Sequence, residues 1–204
     1  SILTPAEKLV SNIDILERGD IAKEFLQSAF KNLEVTFSNN NIEKIDALSD
    51  IIIKSRRKYF VGLRGSSSIV NILSISVAHL LPNVIKLDAA DFAILESAQD
   101  LGPSDCVFIV NFPRYPKIID VIHDIAKKAG AKVILMTESP ASPKAKEADI
   151  LISASVDSIS FFNSYIAPLF LAELISAEIA KKLGKKSEAR MKELDSYVAE
   201  SGLY

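Results

Sequence analysis

From Ile21 to Phe37 an apolar residue returns at every fourth position: Ile21, Phe25, Ala29, Leu33 and Phe37. That period predicts an amphipathic helix with one apolar stripe, opened by Asp20 as its cap. Before it, Thr4-Pro5-Ala6-Glu7 has the form of a capping box with proline at the first helical position, and Gly19 is expected to end that helix. Ser38-Asn39-Asn40-Asn41 breaks the pattern, because these side chains compete for backbone hydrogen bonds. Ile42, Ile45, Leu48 and Ile52 then mark a third amphipathic helix.

Beyond residue 58 the rhythm changes to short, continuously apolar runs. Strands are expected at 59–62, 84–87, 106–110, 132–136 and 150–152, separated by helices at 67–81, 90–99 and 117–129. A long helix is expected over 160–183, with Pro168 kinking it or marking its true start, and a polar helix over 185–200. Strands that alternate with helices predict a parallel sheet, and fully apolar strands predict one covered on both faces. The expected fold is therefore a three-layer α/β/α sandwich around a five-stranded parallel sheet, with extra N-terminal helices.

Composition narrows the picture. The 204 residues are 49% hydrophobic and 25% charged, the balance of a folded globular chain with room for a sizeable core. A net charge of −2 gives no electrostatic footprint for nucleic acid. The longest apolar run, Tyr165 to Ala172, is about eight residues, far short of the roughly 20 of a spanning helix. The N-terminus lacks the basic start and apolar stretch of a signal peptide. Cys106 is the single cysteine, so no internal disulfide can form and a reducing, cytoplasmic setting is expected. Two histidines and one cysteine leave little for a metal site, and no cofactor motif is present: there is no Walker loop, and Gly62-Leu63-Arg64-Gly65 lacks dinucleotide spacing.

In parallel sheets ligands bind beyond the carboxyl ends of the strands, so the loops there carry the candidate chemistry. The first is Gly62-Leu63-Arg64-Gly65-Ser66-Ser67-Ser68, where backbone N–H groups at a helix start, serine hydroxyls and Arg64 suit an anion. The plain alternative is a turn whose serines cap the helix. The second is Asn111-Phe112-Pro113-Arg114-Tyr115-Pro116-Lys117, with Arg114 and Tyr115 between two prolines. The third, Thr137-Glu138-Ser139-Pro140-Ala141-Ser142-Pro143, offers the hydroxyls of Thr137, Ser139 and Ser142. Each alone could be a connector; three at one sheet edge point to a small-molecule site. Catalysis is less evident. Glu173, Glu138 and His79 are the candidate bases for proton transfer, without a visible partner, and His123 and Cys106 read as packed side chains. The basic runs 54–58 and 181–186 fall at helix C-termini, where cations complement the dipole.

The order and spacing of the three loops over residues 20–184 resemble the sugar isomerase (SIS) domain, and more closely the effector domain of RpiR-type bacterial transcription regulators. The first loop of that family reads G-x-G-x-S; here Ser66 takes the serine position and Arg64 stands where a glycine is usual. The second reads S-x-S-G-x-T; here Asn111 replaces the first serine, and Pro113 and Pro116 take the two hydroxyl positions. The third is matched by Thr137, Ser142-Pro143 and Ala148-Asp149. An arginine in the first loop together with Phe112-Pro113-Arg114-Tyr115 is similar to a subset of these regulators, in which arginines would replace hydroxyls as anion ligands.

The resemblance implies a ligand sensor rather than an enzyme, binding a small anionic metabolite such as a phosphosugar, with a carboxylate as competitor. Its contacts would be Arg64, Gly65, Ser66, Ser67, Arg114, Tyr115, Thr137, Ser139 and Ser142, with no metal. Residues 1–19 would be a connecting helix toward a DNA-binding domain absent from this chain, and 20–204 the effector domain. The opening Ser1 fits a fragment of a longer regulator. A homodimer is expected, with helices 21–37 and 160–183 as interface surfaces or as core. The alternatives are a stand-alone sugar-phosphate isomerase, and a subunit whose prolines have closed an ancestral site.

Overall fold

The computed structural model describes residues 3–18 and 20–202. Helix α1 (Pro5–Arg18) opens with a reciprocal capping box: the Thr4 amide donates to Glu7 Oε2 at 2.7 Å and the Glu7 amide to Thr4 Oγ1 at 3.2 Å. The expected stop at Gly19 lies outside the described residues. Helix α2 (Ile21–Asn39) is capped by Asp20, whose Oδ1 accepts from the Lys23 amide at 3.2 Å. Helix α3 (Ile42–Lys54) is capped by Asn41 in the same way.

The α/β body follows as β1 (Lys58–Val61), α4 (Ser66–Leu80), β2 (Val84–Leu87), α5 (Phe92–Gln99), β3 (Cys106–Val110), α6 (Lys117–Lys128), β4 (Lys132–Thr137), β5 (Ile150–Ser153), α7 (Ile166–Leu183) and α8 (Lys185–Ser201). All five strands run parallel in the order β2-β1-β3-β4-β5. From β1 the chain winds outward to β2, then returns to place β3 on the other side of β1. The C-terminal ends of β1 and β3 are thus the topological switch point, where the two adjoining loops diverge and leave a crevice.

Alternate strand residues feed two cores. Phe60, Phe108, Ile134 and Ile152 pack under α3, α4 and α7, with the Phe60 and Phe108 rings 5.7 Å apart. Tyr59, Val61, Val107, Ile109, Val133 and Leu135 pack under α5 and α6. Cys106 is buried, and burial pushes its thiol up to about 11, so it is inert packing. The basic runs are mostly spoken for. Arg56 makes a two-pronged pair with the fully buried Asp105, Lys182 bridges Asp46 and Asp50, and Lys58 is buried against the Pro82 carbonyl.

Two expectations need refining. The α2 stripe, open between interface and core, is split: Ile21, Phe25 and Phe37 are exposed, as are Leu26 and Phe30, while Ala29 is buried and Leu33 half-buried. Besides Ala29 the buried face is polar, formed by Asn32 and Thr36 and continued by Asn40, and it runs along the end of β5 and the chain just after it. Asn40 exchanges hydrogen bonds with the Ser153 amide (3.1 Å) and carbonyl (2.7 Å). Thr36 Oγ1 accepts from the Ser155 amide at 2.9 Å, and Asn32 donates to the Asp157 carbonyl at 2.7 Å. Four helical residues rise about 6.0 Å and two strand residues about 6.6 Å, so positions 40, 36 and 32 keep step with 153, 155 and 157. A search for apolar periodicity misses such a ladder because its contacts are hydrogen bonds.

The second correction concerns α7, which begins at Ile166 rather than residue 160. Pro168 lies in its first turn, where its missing N–H has no helical partner to lose. Residues 158–165 form an irregular strap instead, crossing the C-terminal edge of the sheet.

Candidate functional site

A cleft of about 60 Å³ opens at the switch point. Three pieces of chain build it: the loop after β1 (Leu63, Arg64, Gly65, Ser66), the loop after β3 (Asn111 to Arg114, and Pro116) and the strap (Phe161, Phe162, Asn163, Tyr165). Leu3, Pro5 and Lys8, in and just before α1, close one side.

Close approach explains the glycines of the first loop. A Cβ on Gly65 would come within 2.1 Å of the Tyr165 hydroxyl, and one on Gly62 within 2.6 Å of Val70 Cγ2. Between them Arg64 holds φ at 58°, in the left-handed region that glycine enters freely and other L-residues enter at about 1–2 kcal/mol. The arginine thus keeps a glycine's backbone at a cost the fold must offset, and it stays solvent-exposed. Arg114 is exposed as well. Among the described residues, neither guanidinium has a carboxylate partner or a hydrogen bond within the protein. Both act on Tyr165: burial raises its phenol pKa, while a hydrogen bond with Asn163 and the charges of Arg114 and Arg64 pull it back.

The α4 start is less open than the sequence suggested. The amides of Ser66, Ser67 and Ser68 already bond the carbonyls of Leu63, Arg64 and Gly65 at 3.1–3.3 Å. Nor do the serines cap the helix: Ser67 and Ser68 donate their hydroxyls back to the Arg64 and Gly65 carbonyls at 2.6 and 2.7 Å. Positive charge in this cleft therefore comes chiefly from side chains.

Of the residues proposed from sequence, Arg64, Gly65, Ser66 and Arg114 line the cleft, whereas Ser67, Tyr115, Thr137, Ser139 and Ser142 do not. The last group belongs mostly to a second polar cluster around Glu138. Thr137 donates to Glu138 Oε2 at 2.8 Å, Ser142 donates to Oε1 at 3.0 Å, and the Tyr115 hydroxyl donates to Oε1 as well. Burial and this bond to a carboxylate push the Tyr115 phenol up to about 12. Ser139 accepts from the Ala141 amide at 3.1 Å and shapes the turn. The third loop thus carries its own anion. Asp149, from the most specific motif match, is structural: it accepts from the Val133 amide at 2.9 Å and from Lys127 at 3.0 Å, tying β5 to the start of β4.

Among the candidate bases, Glu173 and His79 are exposed on α7 and α4, and Glu138 is committed to its three donors. His123 is packed inside, with Nδ1 3.3 Å from Asp124. Sequence reasoning missed Lys8, Asn163 and Tyr165 in the cleft. Only the Pro168 signal for a late helix start pointed toward the strap.

Comparison with known proteins fits this architecture. The family model described as the SIS domain matches residues 51–177. An uncharacterized HTH-type transcriptional regulator of Clostridium perfringens is 23% identical over 168 residues, 80% of this chain. The match spans about 60% of that regulator's length. In fold, the chain is similar to the sugar isomerase domain of an RpiR transcription factor from Sphaerobacter thermophilus. The TM-score is 0.83 at 22% identity, covering 86% of this chain and 98% of that one. It is also similar to the Vibrio vulnificus NanR protein complexed with ManNAc-6P. There the TM-score is 0.75 at 16% identity, with 95% and 74% covered.

Proposed function

The chain belongs to the SIS domain family, and we propose that it is the ligand-sensing effector domain of an RpiR-like transcription regulator. Its ligand is a small anionic metabolite, with a phosphosugar as the leading class, bound in the cleft between the loops after β1 and β3. The observation that carries this reading is the pair Arg64 and Arg114: two exposed guanidiniums at the switch point with no carboxylate to neutralise them. Guanidinium forks match phosphate and carboxylate oxygens two at a time. NanR, a relative in fold, is complexed with ManNAc-6P. The same charges speak against a closed, ligand-free site.

The isomerase alternative needs a base beside a carbonyl. Among the described residues lining the cleft there is no carboxylate and no imidazole, which favours sensing over turnover. DNA contact would come through a domain outside this chain. The exposed apolar residues of α2, together with Leu9, Val10 and Ile13 of α1, are the surface through which two copies would pair. Helix α7 was the other candidate interface, but it buries Leu171, Ile175 and Ile179 in its own core.

A thermal-shift panel of phosphosugars and sugar acids tests the reading. A ligand at 100 times its Kd adds about 2.7 kcal/mol of stability. The expected hit is lost in the Arg64→Ala/Arg114→Ala variant and is recovered unconverted. Conversion of the compound would make the protein an enzyme, and a hit that survives both substitutions would place the ligand elsewhere.

A further inference from the structure

Helix α1 rests lightly on the rest of the molecule. No described side chain of α1 is fully buried, and Pro5, Lys8, Asn12 and Leu16 form its only half-buried face. Lys8 and Asn12 tie this face to the body by hydrogen bonds. Lys8 Nζ donates to Asn163 Oδ1 at 2.7 Å, and Asn12 reaches the Ser158 and Ser160 carbonyls at 3.4 Å. An element with few buried contacts opens at low free energy. Yet Lys8 stands at the cleft itself, beside Arg64 and Arg114.

Asn163 is the pivot of this arrangement. Its Nδ2 donates to the Pro113 carbonyl at 3.3 Å, next to Arg114. So the lysine is held by a neutral amide, which orients the ammonium without cancelling its charge. Three cations then face a space lined by no carboxylate. Coulomb energy scales with the product of the charges, so such a site favours a double negative charge over a single one. A phosphomonoester reaches nearly that charge at neutral pH and a carboxylate does not. The cleft is also small for a metabolite, since ligand pockets run to about 300 Å³ or more. A ligand that fills more than this space would enter by displacing the strap or α1, and an ammonium drawn to the anion moves with α1.

Resting on the sensor reading above, we propose that Lys8 is the third anion-binding cation of the cleft. The ligand is thereby selected as a dianion, and its arrival ties α1 to the α/β body. By linkage, whatever holds α1 in place raises affinity for the anion to the same degree.

The test uses inorganic phosphate as probe and acetate as monoanion control. Amide hydrogen exchange is followed over residues 5–18 in wild type, Lys8→Met, Lys8→Arg and Arg64→Ala/Arg114→Ala. Phosphate is expected to slow α1 exchange in wild type, more strongly as pH rises through its second ionisation, while acetate leaves it unchanged. Lys8→Met should bind phosphate about tenfold more weakly, the scale of one charged hydrogen bond, with α1 exchange no longer responding. Lys8→Arg should restore both. Arginine-dependent binding with equal affinity in Lys8→Met, or without protection of α1, overturns this inference and leaves the sensor reading standing. Absent phosphate binding overturns this inference, and phosphate binding indifferent to Arg64 and Arg114 removes both.

Discussion

The loops after β1 and β4 sit at the same edge of one sheet, and both read from sequence as anion cradles rich in hydroxyls. They have opposite chemistry. The β4 loop is electrostatically finished, because Glu138 takes hydrogen bonds from Thr137, Ser142 and Tyr115. The β1 loop and its β3 neighbour are unfinished, with Arg64 and Arg114 left without an anion. Hydroxyls and charges in a loop do not by themselves mark a ligand site; whether the fold already pairs them is what separates these two loops. The topology agrees, since only the β1 and β3 ends flank the switch point.

The contrast breaks most visibly at Glu138. In Glu138→Gln the three donors lose their charged acceptor, and thermal or denaturant unfolding should show a loss of about 2 kcal/mol. Arg114→Ala, which removes no internal partner, should stay within about 0.5 kcal/mol of wild type. A harmless Glu138→Gln would mean that the β4 loop is as available to ligand as the β1 loop.

A pH titration sharpens the same point. The Tyr115 phenol is raised in the folded state to about 12, above its ordinary value near 10, so folding favours its protonated form. Its contribution is fully present below pH 10 or so and is lost as pH rises through about 12. Phenolate absorbance should show Tyr115 titrating late, beside the also raised Tyr165 and Tyr197, and Glu138→Gln should bring the Tyr115 component down.

The smallest effect belongs to Arg64→Gly. Relief of the left-handed backbone is offset by the greater freedom glycine gains in the unfolded chain. The melting temperature should hold or rise by about 2 °C. Any anion response should nevertheless disappear. Retained binding would mean that the strained arginine is not what the cleft uses.

Most of the architecture was legible because it rests on period and punctuation. The strand positions at Val84–Leu87 and Cys106–Val110, the capping box at Thr4 and the Asp20 cap follow from short apolar runs and local hydrogen bonding. The two arginines were legible as charges in a loop. What sequence could not convey was partnership. Nothing in Glu138 announced that it would collect the hydroxyls assigned to a ligand. Nothing in Lys8 placed it against Asn163, 155 residues away. The α2 stripe left interface and core open, and most of it looks outward because amides and a hydroxyl hold that helix to the sheet.

That ladder of Asn32, Thr36 and Asn40 has a consequence for solubility. The outer edge of β5 would otherwise offer open amides and carbonyls to any extended chain, the usual template for strand-to-strand polymerisation. Side chains of α2 and its cap occupy those groups at Ser153, the last residue of β5, and at Ser155 and Asp157 beyond it, so an added strand cannot pair there. Because the seal is made of short polar groups, it directs α2's apolar side away from the sheet. Protection against indiscriminate association and the exposure of a surface for specific association are thus two faces of one helix.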